Sequence, residues 1–173
     1  TGNQYWYDDT SLSTATTKAP YAVHLATNDP LNRSSRFALN WPSSSRPAVN
    51  FSAVYESNGT TLASNQHVAQ PGQIVKFEFQ TTPSVNLSPG VYREAFQPIA
   101  EGTGDGLFPR AWTFIDFNLL KPTYIVSNHS QSAYPQLSKG QQTTTHFMYK
   151  NSGNIAWYDS SSLSQAPAGT KPV

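Results

Sequence analysis

The residues best suited to chemistry in this chain are few and far apart. Four histidines occur, His24, His67, His129 and His146, none within four residues of another. No pair therefore has the spacing that sets two imidazoles on one helix face around a metal ion. "YDD" (7–9) with Asp29 offers carboxylates for a surface calcium ion. Neighbouring carboxylates on a strand point to opposite faces, however, which argues against a shared ligand set. "EGTGDG" (101–106) lacks the Lys-Ser/Thr of a phosphate loop and the alternating acidic ligands and final glutamate of a calcium loop. It reads as a glycine-rich hairpin loop. Serines are abundant, but no G-x-S-x-G elbow and no S-x-x-K occurs. Glu94 with Glu101 or Asp116 is the remaining carboxylate pair of glycosidase type, and acids scattered on strands normally line solvated faces. The expectation is no catalytic residue, no metal site and no cofactor.

Composition narrows the class further. The 173 residues are enough for one core, or one domain and part of another. Only 12% of them are charged, against 37% hydrophobic and 13% aromatic, so Ser, Thr, Asn and Gln must cover much of the surface. A net charge of +1, with no two basic residues adjacent, argues against a nucleic-acid partner. The absence of cysteine rules out disulfides and thiolate metal sites. No apolar run reaches the length of a membrane helix. Five N-x-Ser/Thr sequons, at Asn32, Asn50, Asn58, Asn86 and Asn128, matter only where secreted proteins are glycosylated.

The elements that would position any site are strands. Thirteen prolines leave little room for helices. "QIVKFEF" (73–79) puts Val75, Phe77 and Phe79 on one face and Lys76 and Glu78 on the other. "NFSAVYESNGTTLAS" (50–64) sets Asn58-Gly59 between two extended runs, as in a tight hairpin with left-handed turn residues. Residues 88–102 and 110–120 alternate as well, and 37–41, 123–127 and 143–150 are further candidates. Short strands with Gly, Pro and Asn turns between them predict an all-β, antiparallel sandwich.

The chain also repeats itself. "TGNQYWYDD" opens it, and "SGNIAWYDS" returns 151 residues later. Trp6/Trp157, Tyr7/Tyr158, Asp8/Asp159, Ser11/Ser162, Leu12/Leu163 and Ser13/Ser164 all keep that offset. The Asn and Gly residues of 151–154 read as a turn.

"YKNSGNIAW" (149–157) resembles the opening of the four-tryptophan Ig-like domain, known from autophagy cargo receptors and from tandem repeats of bacterial surface proteins. "PGQIVKFEF" (71–79), "SPGVYREAFQPIAEG" (88–102) and "FPRAWTFIDF" (108–117) follow in the family's order, and the span 24–70 is longer than the family's. The resemblance implies an Ig-like β-sandwich that acts as an interaction or spacer module. It also implies that Trp6, Trp112 and Trp157 are core or junction aromatics.

On this reading residues 1–120 are an Ig-like unit lacking its opening strands, and 121–173 are the opening strands of the next repeat, with a boundary at Lys121-Pro122. The chain is thus expected to be cut out of register from a repeating polymer with a 151-residue period. Its opening strands would complete a neighbouring unit by strand addition or within a covalent tandem array. A circularly permuted single domain fits less well, because the echoed phrase would then be redundant. The assembly residues are expected at Thr123–Ser127 and Thr143–Lys150, in particular Thr123, Tyr124, Ile125, Val126, Thr145, Phe147 and Tyr149. The expected partner is the protein itself, head to tail, with a surface glycan or protein as the alternative. The expected setting is extracellular or at a cell surface.

Overall fold

The computed structural model describes residues 3–16, 21–103, 108 and 111–166. Residues 1–2, 17–20, 104–107 (which include half of the glycine-rich loop at 101–106), 109–110 and 167–173 lie outside them. The chain divides into two compact units, Thr1–Leu119 and Leu120–Val173. It is nearly all β. Among the described residues the only helical elements are two 3₁₀ turns, Leu12–Thr14 and Leu163–Gln165.

The first unit is built on a three-stranded antiparallel sheet of β2 (Val23–Asn28), β6 (Gly90–Ala100) and β7 (Thr113–Leu119), with β6 in the middle. β1 (Trp6–Tyr7) pairs with β4 (Val68–Ala69), and β3 (Ala53–Tyr55) pairs with β5 (Ile74–Lys76), both antiparallel. Val23, Phe51, Val54, Ala63 and Ala69 form one buried cluster, and Leu25, Ala48 and Phe96 a second. Phe77 packs against both. Burying each large side chain contributes about 1.5–3 kcal/mol, so these two clusters and their shared phenylalanine carry most of the unit's stability.

The period-two pattern of 73–79 holds: Val75, Phe77 and Phe79 are half-buried, while Ile74, Lys76 and Glu78 are exposed. The hairpin at 53–63 is present too, closed by Glu56 N–H to Thr61 O and Ala63 N–H to Val54 O. Its turn differs in detail, since only Gly59 takes a positive φ, of 71°. Asn58 acts through its side chain instead, accepting from the N–H groups of Thr60 and Thr61.

Residues 37–41 form no strand. Asn40 adopts a left-handed φ of 66°, the Trp41 N–H donates back to Ala38 O, and the segment keeps only a single bridge from Ala38 to Thr82. Trp41 still serves the second cluster, edge-on to Phe79 and Phe96, with its indole N–H donating to Gln80 O.

Among the described residues the sheet of the second unit is one antiparallel hairpin, β8 (Val126–Gln131) with β9 (Phe147–Asn151), bulged between Asn128 and Ser130. Regular pairing starts later than expected from 123–127, and Thr143–His146 precede β9. Extended chain continues below β8, where Ser152 N–H donates to Ile125 O and Asn154 N–H to Thr123 O. Asn154 Oδ1 in turn accepts from Thr123 N–H at 2.8 Å. Gly153 is needed here for room, not for a positive φ. A Cβ at that position would lie 2.2 Å from Thr123 O and 3.0 Å from Ile125 N. Gly153→Ala is therefore expected to push these chains apart and raise amide hydrogen exchange at Ser152 and Asn154 about tenfold or more, a loss of roughly 1.4 kcal/mol. Unchanged exchange at both amides would show that the close approach is not required.

Candidate functional site

The first copy of the echoed phrase closes unit 1, and Asp8 holds it there. Its carboxylate is fully buried. Oδ1 accepts from Ser11 N–H at 3.0 Å and from Ser11 Oγ at 3.1 Å. Oδ2 accepts from Phe51 N–H at 3.2 Å and faces His67 Nδ1 at 2.7 Å. A buried charge is tolerable only with such a complete set of partners. Tyr7 beside it is buried, bridging Ala22 and pairing with Val68. Trp6 pairs with Ala69, packs on the first cluster and meets Phe108 edge-on at 4.9 Å. The Asp8 turn then runs into the 3₁₀ turn Leu12–Thr14.

The second copy adopts the same local structure. Ser162 N–H and Ser162 Oγ donate to Asp159 Oδ1 at 2.8 and 2.6 Å, and the 3₁₀ turn Leu163–Gln165 follows at the same offset. The residues ahead of the two turns match in dihedral angle, Ser11 at φ −99°, ψ −7° and Ser162 at φ −97°, ψ −5°. Backbone bonds repeat as well: Thr14 N–H to Ser11 O and Gln165 N–H to Ser162 O both measure 2.9 Å. What differs is the cover. Asp159 is exposed, Trp157 is 37% exposed, and Tyr158 is only half-buried.

Asp159 also accepts from Ser161 N–H and Oγ. Hydrogen bonds from Ser162 first, then Ser161, pull its carboxyl down to about 2 from 3.8. A lowered carboxyl stabilises the turn fully above the ordinary value and loses that contribution as pH falls through the lower one.

Asp9, Glu94, Glu101 and Asp116 each face a basic group. Asp9 leaves its neighbour and faces His24 Nε2 at 2.7 Å, while His24 Nδ1 lies 2.9 Å from Glu101 Oε1. The Arg46 guanidinium also bonds Glu101, and it is the main cause, with His24 behind it, of a carboxyl held below its ordinary range. Glu94, buried on β6, pairs with Arg33 at 2.8 Å, and Asp116 pairs with Arg93. Glu94, Glu101 and Asp116 thus each meet a different arginine. Among the described residues no group of three His, Cys, Asp or Glu side chains could hold a metal ion, and no helix is long and apolar enough to cross a membrane.

Of the expected assembly residues, the register brings Val126, Tyr149 and Phe147 to one face of the second hairpin, with Phe147 and Tyr149 stacked at 6.5 Å. All three are more than half exposed, as are Tyr124 and Ile125. Thr123 and Thr145 lie outside the regular strands. Trp112 precedes β7 and is 53% exposed. Sequence reasoning missed the Asp8 node entirely, although the spacing Asp-x-x-Ser, present in both copies, was the available signal. A hollow of about 260 Å³ beside β1 is lined by Tyr5, Tyr7, Asn65, Gln70 and Gln73 among others.

Compared with known proteins, the chain matches no family model, no curated protein and no solved structure.

Asp8→Ala is expected to destabilise unit 1 by roughly 3 kcal/mol, because it strands Phe51 N–H and removes the partner of His67. Asp159→Ala should leave the thermal transition of unit 1 unchanged, and equal effects of the two substitutions in melting experiments would contradict the difference in burial. By NMR the Asp159 carboxyl is expected to titrate near 2, and Ser162→Ala should raise its midpoint towards 3.8. A midpoint already at the ordinary value in the unaltered chain would remove the hydrogen-bonded turn.

Proposed function

We propose that this chain is a non-catalytic structural repeat of Ig-like β-sandwich type, extracellular or at a cell surface, that assembles head to tail into an array or filament. One observation carries the proposal. The same phrase folds into the same turn twice, enclosed in unit 1 and bare in unit 2. The bare copy follows directly on a hairpin whose Val126, Phe147 and Tyr149 are exposed on one face, opposite Asn151, Gln131 and Asn128. Exposed aromatic strand faces are a liability unless something covers them, and another copy of the chain is the occupant. Covering surface and covered surface then differ, so the contact is heterologous and propagates as a line. The low share of charged residues, 12%, suits a surface that packs against copies of itself.

A carbohydrate- or protein-binding module is the second reading. It is favoured by the hollow beside Tyr5, which is 46% exposed and surrounded by the amides of Asn65, Gln70 and Gln73.

Sedimentation velocity of the full chain is expected to show a mass above one chain that rises with concentration, with linear particles in electron micrographs. Phe147→Glu combined with Tyr149→Glu should return the mass towards that of a single chain. A single-chain mass at every concentration, or closed rings, would overturn the proposal.

A further inference from the structure

We infer that residues 157–166 are a docking segment for a second copy of this chain, which receives them on the surface of Phe51, His67, Val68 and Ala69 in place of its own first phrase. The inference rests on the assembly reading and names the site through which it acts. That surface already binds this sequence, because residues 6–15 occupy it within unit 1. Val68 and Ala69 pair with Tyr7 and Trp6, Phe51 N–H meets the Asp8 carboxylate, and His67 O accepts from Asp8 N–H and from Ser11 Oγ. Every one of those contacts is made by backbone or by a residue that the second phrase preserves: Trp157, Tyr158, Asp159 and Ser162.

The docking conformation is also already formed. The Asp159–Ser162 bonds and the following 3₁₀ turn need no rearrangement to match the first phrase, so binding carries little ordering cost for that segment. The two phrases differ at one charged position: Ser160 stands where the first has Asp9. A docked second phrase would leave His24 Nε2 without the carboxylate that Asp9 supplies at 2.7 Å. The chain's own phrase therefore has that contact and its covalent attachment in its favour, and exchange is reserved for high local concentration, as at the end of a growing array.

The native chain has no cysteine, so single cysteines can report the contact. The register Trp6↔Ala69, Tyr7↔Val68, carried one step outward, sets position 5 opposite Gln70, and Ala156 is the counterpart of position 5. Full chains carrying Gln70→Cys and Ala156→Cys are mixed and oxidised mildly. The expected result is a disulfide-linked heterodimer. Adding Asp159→Ala to the Ala156→Cys chain should reduce it at least fivefold. Adding Asp9→Ser to the Gln70→Cys chain should raise it, because the two phrases then compete on equal terms at His24. A heterodimer yield indifferent to Asp159→Ala would overturn the docking site. If sedimentation shows assembly while the cross-link is absent, docking fails and the assembly reading stands. If both are absent, the assembly reading fails with it. Asp9→Ser also guards against misfolding, since it leaves the buried Asp8 node untouched.

Discussion

A single buried carboxylate organises the first unit. Asp8 is removed from water and survives there only because Ser11, the Phe51 N–H and His67 surround it. Ser11 is three residues away, but Phe51 and His67 come from segments 43 and 59 residues away along the chain. The node therefore ties the first phrase to the Phe51 loop and to the approach to β4 at once. Trp6 and Tyr7 are carried into the core edge by the same anchoring, and the first hydrophobic cluster is closed over Ala69. Remove the charge and the donors it satisfies are stranded. The same polar demand suits an Asp-x-x-Ser turn, whose carboxylate accepts from Phe51 N–H and whose serine hydroxyl donates to His67 O.

The second phrase shows what belongs to local sequence and what belongs to tertiary context. Asp159 and Ser162 reproduce the turn without any of the long-range partners. The turn is thus a local device, of the kind in which Asp and Ser side chains compete for nearby backbone N–H groups. Burial is the long-range part, and it separates a carboxylate that anchors a core from one that stands in solvent.

Period-two alternation was readable where one face of a strand meets the core and the other meets water, as in Val75, Phe77 and Phe79. Asn58-Gly59 was readable because its turn is satisfied within a few residues. The segment 37–41 was not, since its apolar residues serve the core from a left-handed turn at Asn40. Nor was the burial of Glu94, which follows from an arginine 61 residues away. The echoed phrase announced a repeat, but the role of its Asp-x-x-Ser depended on Phe51 and His67, which no local pattern joins to it. The pairings of Asp9 with His24 and of Glu101 with Arg46 were hidden for the same reason.

If the second phrase is a docking element, its protection from solvent must depend on other molecules. Native-state hydrogen exchange of the Ser162–Ala166 amides, followed as the protein is concentrated, tests this most directly. Protection should climb towards that of the equivalent Ser11–Ala15 amides in unit 1. Exchange that stays fast and independent of concentration, while the first phrase remains protected, would contradict the account.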